Sequence, residues 1–348
     1  MSALGRAERW GHEEVVMVRD RAAGLLAFIA LHDTTLGPAI GGTRMRTYPS
    51  LDDALLDALR LARAMTSKCA MADMPFGGGK AVIVGDPRRD KTESLLRAYA
   101  GAVHRLGGRF HTGSDMGLRG EDVAVMARVT PFASHTRPGA GVDSAFLAAL
   151  GVFASIEEAA RVLDRPLRSL HVAVQGLGEV GGRLARLLAE AGARLTVADA
   201  EAARAARAAR ELEAEVCAPE AIYDVEADVF SPNAGGGVLV EPTLPRLRVR
   251  AVVGAANDQL GDEGDGDTLH ARGILYAPDY VVNAGGLISV LHETGALDEA
   301  GVVARVRGIA RTLSAVWTRA RREEAPPHRV ADAMVEERLA AARARTPS

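Results

Sequence analysis

The sequence predicts an α/β protein of two domains separated by a cleft, one of them built on a doubly wound parallel sheet. Three observations carry this. Residues 170–199 read strand, glycine turn, helix, strand, acid. The chain ahead of them reads as strands followed by alternating helices and strands. And 348 residues are too many for one ordinary core and about right for two.

Residues 14–19 and 24–32 read as a paired strand unit with 20–23 as its turn. Gly37-Pro38 and then Gly41-Gly42 break the pattern. Ser50 is a good N-cap with Asp52 and Asp53 in the first turn. Leu51, Leu55, Ala58, Leu59 and Ala62 recur at helical spacing, so a helix with one buried face runs towards Lys68. A short apolar strand covers 81–85, directly after Lys80, and 92–106 is a helix closed by Gly107-Gly108. A second unit starts near Thr136, with a helix over 144–163, a strand at 170–175, a helix over 179–191 and a strand at 194–198. Later strands fall at 228–231, 249–254 and 274–277. The Ala/Arg-rich run 200–215 reads as an exposed helix. In the tail, Val302, Val306, Ile309, Leu313 and Val316 form the stripe of a single helix ended by Pro326-Pro327, and a last amphipathic helix follows to about Arg345. The expected domains are 1–137, rejoined by the tail at 320–348, and 138–319.

Composition narrows the function. Apolar residues are 48% and charged residues 25%, which is ordinary for a globular chain. A net charge of −3 gives no argument for nucleic acid or an anionic membrane, and 4% aromatics give none for a base-stacking surface. Cys69 and Cys217 match no metal spacing and cannot make a disulfide framework, which fits a reducing cytoplasm. The first residues are charged, with no signal-peptide h-region, and the longest apolar stretch, 145–154, is too short to span a bilayer. The expected location is cytoplasmic.

Gly176-Leu-Gly178-Glu179-Val180-Gly181 carries a dinucleotide fingerprint. Gly176 makes the tight turn, Gly178 lets the backbone approach a pyrophosphate, and Gly181 lets helix pack on strand. The phosphates then meet free N–H groups at the helix start. Asp199 lies 18 residues past Gly181, near the offset of the acid that binds ribose hydroxyls and repels a 2′-phosphate. The expectation is a Rossmann domain that takes NAD rather than NADP.

The first half holds Gly41-Gly42-Thr-Arg44, Met65-Thr-Ser-Lys68, Gly77-Gly-Gly-Lys80 and Thr112-Gly113-Ser-Asp115-Met-Gly117. Three glycines before Lys80 suggest a backbone pressed close to a ligand rather than core packing. A phosphate loop is excluded, because Ala81 stands where a Mg²⁺-binding Ser or Thr belongs.

These segments, with Gly254-Ala255-Ala256-Asn257 and Val282-Asn283-Ala-Gly285-Gly286, occur in one order along nearly the whole chain. In this the sequence resembles the glutamate/leucine/phenylalanine/valine dehydrogenase family. The resemblance implies reversible oxidative deamination of an apolar L-amino acid to a 2-oxo acid and ammonia, in a homo-oligomer without a metal. It implies that Lys68 holds the α-carboxylate. Lys80 then works as general base and acid, as a lysine can if burial and a neighbouring cation, which Lys68 could be, lower its pKa. Asp115 moves protons at nitrogen. Gly41, Gly42, Gly113, Asn283 and Leu287 line the substrate; Ala255, Ala256, Asn257 and Asn283 face the cofactor. Gly113 and Leu287 fit the phenylalanine type better than the leucine type, so phenylalanine is the expected substrate, with branched-chain amino acids the alternative. A non-catalytic NAD-binding protein is a third reading. Two positions depart from the family: Ala148, where many members carry a threonine able to meet the carboxamide, and Asn233, where a small residue is usual. Arg44 is open between a structural ion pair and a site role. His104 and His111 are expected at helix ends or on the surface, and Asp73 has no role.

Overall fold

The computed structural model describes residues 2–133 and 142–345. The chain divides into two compact units, Met1–Gly141 with Val335–Ser348, and Val142–Met334. The expected start of the second unit near Thr136 and the 137/138 boundary lie outside the described residues.

The first unit opens with α1 (Ala3–Trp10), which the sequence reading missed, and a hairpin of β1 (Glu14–Asp20) and β2 (Leu25–Asp33). Its turn closes because Asp20 Oδ1 accepts from the N–H groups of Ala22 and Ala23, and Gly24 takes a left-handed φ of 69°. Then come β3 (Ala39–Ile40), β4 (Thr43–Arg46), α2 (Leu51–Met71), β5 (Gly77–Val84), α3 (Glu93–Arg105), β6 (Phe110–His111) and α4 (Gly120–Ala127). The sheet order is β1-β2-β5-β3-β6, with β4 also paired to β5; β2 runs antiparallel to β5 while β3 and β4 run parallel to it. Side chains alternate along β2. Ile29 and Leu31 join Tyr99, Val103 and Phe110 in one core, and Phe28 and Ala30 join Leu55, Leu59 and Val82 in the other, so both faces of the strand are covered.

Strand β5 begins at Gly77, not after Lys80. The glycines were misread as a ligand wall, because their neighbours are protein. A Cβ on Gly78 would collide with the backbone and hydroxyl of Thr66 in α2, and one on Gly79 would press on the Phe110 ring at 2.8 Å. The helix therefore packs directly on the strand, and only glycine fits.

The second unit holds α5 (Ser144–Val162), β7 (His171–Gln175), α6 (Glu179–Glu190), β8 (Arg194–Ala198), α7 (Ala202–Leu212), β9 (Glu215–Val216), β10 (Val229–Pro232), β11 (Ala251–Val252), α8 (Glu263–Ala271) and β12 (Leu275–Tyr276). Short helices α9 (Asp279–Val282), α10 (Gly285–Ile288) and α11 (Val290–Glu293) follow, then α12 (Glu299–Arg307), α13 (Ile309–Glu323) and α14 (Pro327–Arg343), of which the residues from Val335 on belong to the first unit. The sheet order is β12-β11-β10-β7-β8-β9 and every pairing is parallel, the expected doubly wound arrangement. The strand order reverses between β7 and β10. The tail stripe from Val302 to Val316 is buried, but it belongs to two helices broken at Gly308, not to one. Among the described residues, no helix is long and apolar enough to cross a membrane.

Candidate active site

In the first unit the sheet brings Lys80 and Asp115 together. Residues 41–45 lie between β5 and the segment after β6. Thr43 pairs with Ala81 on one side, while the N–H groups of Gly41, Thr43 and Met45 donate to the carbonyls of His111, Gly113 and Met116 on the other. Lys80 and Asp115 therefore flank the same short stretch. Gly41 and Gly42 are glycine because of this convergence: a Cβ on Gly41 would collide with the Gly79 carbonyl, and one on Gly42 would lie 3.1 Å from the Asp115 Cβ.

Lys80 is 8% exposed, and its ammonium is in direct ionic contact with Asp115 Oδ2. Burial alone would raise the Asp115 carboxyl, but Lys80, then Arg44, and the Met116 N–H hold it below the usual carboxylate range. The loop is braced from behind: Lys91 Nζ donates to Gly117 O at 3.2 Å and to Asp122 Oδ2 at 2.6 Å, and Arg119 N donates to the same carboxylate at 2.7 Å. A further cation beside the pair is Arg44. Its Nη1 donates to Asp57 Oδ2 at 3.0 Å, and its Nε stands 3.5 Å from Asp115 Oδ2. Asp57 also accepts from Tyr48 Oη at 2.7 Å and from Arg60 at 3.0 Å. Burial would raise the Asp57 carboxyl too, but the Tyr48 hydroxyl and the two arginines hold it down. Sequence reasoning missed Asp57 and Tyr48.

Lys68 sits half-buried in the last turn of α2, where a cation suits the helix dipole. Ser50 caps the start of that helix, accepting from Asp53 N at 3.1 Å, and Arg338 donates to the Ala70 and Met71 carbonyls at its end. Asp73, just past the helix, takes a left-handed φ of 53° that ends it. Gly113 is half-buried. His104 is exposed in the last turn of α3, as expected, whereas His111 lies in β6 and packs on Phe132 with ring centroids 5.3 Å apart. Cys69 and Cys217 are unpaired, and burial pushes the Cys69 thiol up to about 12.

In the second unit the other candidates gather at the carboxyl ends of the strands. Gly176 takes a φ of 87°, and a Cβ there would touch Ala234 at 2.9 Å. A Cβ on Gly181 would strike the Gly176 carbonyl, while nothing lies within 4 Å of one on Gly178. So two glycines serve the turn and the helix contact, and the third leaves its backbone open. Glu179 and Val180 begin α6 there; the Glu179 side chain turns outward to Arg183 at 2.6 Å. A cavity of 510 Å³ adjoins the turn, lined among others by Gly178, Glu179, Glu201 and Arg204. Asp199 has a structural role that the sequence did not suggest. It braces the turn by accepting from Leu177 N at 2.7 Å and from Glu201 N at 2.8 Å. Arg204 approaches it at 3.7 Å but is held by Glu201 at 3.0 Å.

Ala255, Ala256 and Asn257 form a loop after β11 that is pinned on two sides. Ala256 N donates to Pro232 O at 3.0 Å, and Asn283 Nδ2 donates to Ala255 O at 3.2 Å and to Asn257 Oδ1 at 2.9 Å. Asn283 is 8% exposed, and its Oδ1 is buried without a hydrogen-bond partner. Leu287, four residues on, is half-buried. Asn233 is committed internally: it donates to Ser231 O at 2.8 Å and accepts from Ala255 N at 2.9 Å, so it cannot stand in for a hydroxyl missing at Ala148. Ala148 itself lies against Gly286, where an added Cβ would be 3.9 Å from its own. The open backbone at Gly178, the anion-favouring start of α6 and the orphaned Asn283 acceptor fit a dinucleotide.

Comparison with known proteins agrees with this arrangement. Residues 12–132 match the family model described as Glu/Leu/Phe/Val dehydrogenase, dimerisation domain, and residues 198–346 match Glutamate/Leucine/Phenylalanine/Valine dehydrogenase. The chain is 41% identical to leucine dehydrogenase of Thermoactinomyces intermedius over 343 residues, covering 97% of this chain and 94% of that one. It is 43% identical to phenylalanine dehydrogenase of the same organism over 338 residues, covering 95% and 92%. Among solved structures, L-tryptophan dehydrogenase from Nostoc punctiforme superposes with a TM-score of 0.86 at 40% identity, covering 98% of this chain and 99% of that one.

Proposed function

The chain belongs to the glutamate/leucine/phenylalanine/valine dehydrogenase family, and on that premise we propose that it catalyses the reversible, NAD-dependent oxidative deamination of an apolar L-amino acid to the 2-oxo acid and ammonia. The observation that carries this reading is the ion pair of buried Lys80 with half-buried Asp115. Such a pair can hold and pass protons at a carbon–nitrogen centre.

Bound NAD would supply the hydride acceptor for the reaction. The Gly176–Gly181 turn, with the N–H groups of Glu179 and Val180, would hold its pyrophosphate. Asp199 would hold its ribose, and Ala255, Ala256, Asn257 and Asn283 would border its nicotinamide end. Lys68 binds the substrate carboxylate as a point charge. Asp115, kept ionised by Lys80 and Arg44, takes a proton from the substrate ammonium. Lys80, once it has released its own proton to solvent, deprotonates as the free amine the water that adds to the imino carbon, and returns that proton to nitrogen as ammonia leaves. Oligomerisation of this chain with itself is supported by the dimerisation domain of the first family model.

NAD should be favoured over NADP by about 10²-fold in kcat/KM, since a 2′-phosphate would face the Asp199 carboxylate. Equal kcat/KM values for the two cofactors would mean that Arg204, not Asp199, governs the site.

For the side chain, phenylalanine is the best-supported substrate. Gly113, two residues from Asp115, carries no methyl that could crowd a ring, and the relatives named above include enzymes for phenylalanine and tryptophan as well as for leucine. A purified-enzyme panel of phenylalanine, tryptophan, leucine, valine and charged amino acids tests it. The expected order puts phenylalanine first, leucine weaker and charged residues poor. Gly113→Ala should shift preference towards leucine or valine by about 10-fold, within the range of one methylene-sized change. A parent enzyme that favours valine tenfold over phenylalanine overturns the substrate and leaves the reaction class standing.

A further inference from the structure

Arg44 is held in a divided position. One edge of its guanidinium is bonded to Asp57, while its Nε is buried, makes no hydrogen bond, and stands 3.5 Å from Asp115 Oδ2. Asp57 is fixed on two further sides by Tyr48 and Arg60. We propose that Asp57 and Arg44 are positioning residues: Asp57 anchors Arg44 just short of a bond to Asp115 and so sets how much positive charge the Lys80–Asp115 pair experiences. The proposal rests on the catalytic reading of that pair.

The physical reason is competition for one guanidinium. An arginine free to turn would grip a carboxylate through two parallel N–H bonds. Asp115 would then be locked and unavailable to Lys80 or to a substrate ammonium. With Asp57 taking that edge, Arg44 contributes its charge at short range without immobilising Asp115. Among the described residues, the charged and titratable groups around the pair include Arg44 from β4, Tyr48 just after it, Asp57, Arg60 and Lys68 from α2, Lys80 from β5, and the Lys91–Asp122 brace behind the Asp115 loop. Removing the Arg44 cation makes proton loss by the pair harder. Removing the Asp57 anion makes it easier, and it also lets Arg44 close on Asp115. The two changes therefore have opposite signs, which a loss of packing would not produce.

The test is the ascending limb of kcat/KM against pH, which follows proton loss from the pair. Arg44→Met should move it up by about one pH unit, and Arg44→Lys should restore most of the parent position. Asp57→Asn should move it down by about half a unit and lower kcat, with KM for NAD unchanged. If either charge-changing variant fails to fold, Tyr48→Phe leaves every charge in place and strengthens the pull of Asp57 on Arg44, so a small upward shift is expected. Limbs that stay put, or that move the same way in Arg44→Met and Asp57→Asn, overturn the proposal. A readout free of turnover separates this failure from failure of the functional reading. The rate at which an amine-reactive reagent labels Lys80, mapped by peptide mass, should shift along the pH axis with the same signs even if no amino acid proves to be a substrate.

Discussion

Lys80→Ala is expected to lower kcat by about 10³–10⁴-fold, the range spanned by removing a positioned acid–base group. Alanine can neither take a proton from water nor return one to the departing amine. It also leaves Asp115 with Arg44 and the Met116 N–H in place of the lost ammonium, and Arg44 is already committed to Asp57. NAD affinity should stay within a few-fold of the parent, because the glycine turn and Asp199 belong to the unit Val142–Met334 while Lys80 belongs to the other. Steady-state kinetics and direct NAD titration of the variant check both halves. A kcat within tenfold of the parent would remove Lys80 from the chemistry.

Asp115→Asn is expected to lower kcat by about 10²–10⁴-fold with little change in NAD binding. The substitution keeps size and hydrogen bonding but removes the charge, so Lys80 and Arg44 face each other without their shared anion. A stability effect accompanies it. The native Asp115 carboxyl is held below its usual value, so its pairing stabilises the fold above the ordinary carboxylate pKa of about 4. That contribution is lost as pH falls through the lowered native value. Thermal unfolding of parent and variant should therefore differ at neutral pH and converge in acid. Curves separated by the same margin at all pH values would contradict the ion-pair account.

The β7–α6–β8 unit was legible in the sequence because each piece carries its own local signal: an apolar run, a glycine turn, helical spacing, a second apolar run and a terminal acid. Helix α2 was equally legible, from the Ser50 cap to the stripe through Ala62. Strands β3 and β4 were not, because two and four residues are too few to show a period. The glycines at 77–79 misled for a different reason. A glycine records that something lies close, but not what, and here the close partners are Thr66 and Phe110, far away in sequence. Asp57 was invisible because a carboxylate on a helix ordinarily faces water. Only the folded sheet brings Arg44 and Tyr48 to it. Lys80 and Asp115 were each given a role through the family resemblance and the chemistry it implies, while the structure supplies their contact and the Arg44 cation beside it.

The central claim is tested most directly by the stoichiometry of one reaction. Purified protein is incubated with L-phenylalanine and NAD at mildly alkaline pH, and NADH, ammonia and phenylpyruvate are each quantified. The account predicts that the three appear in equal amounts, and that Lys80→Ala abolishes all three together. NADH formed without ammonia, or no NADH from phenylalanine or any other apolar amino acid, would contradict it.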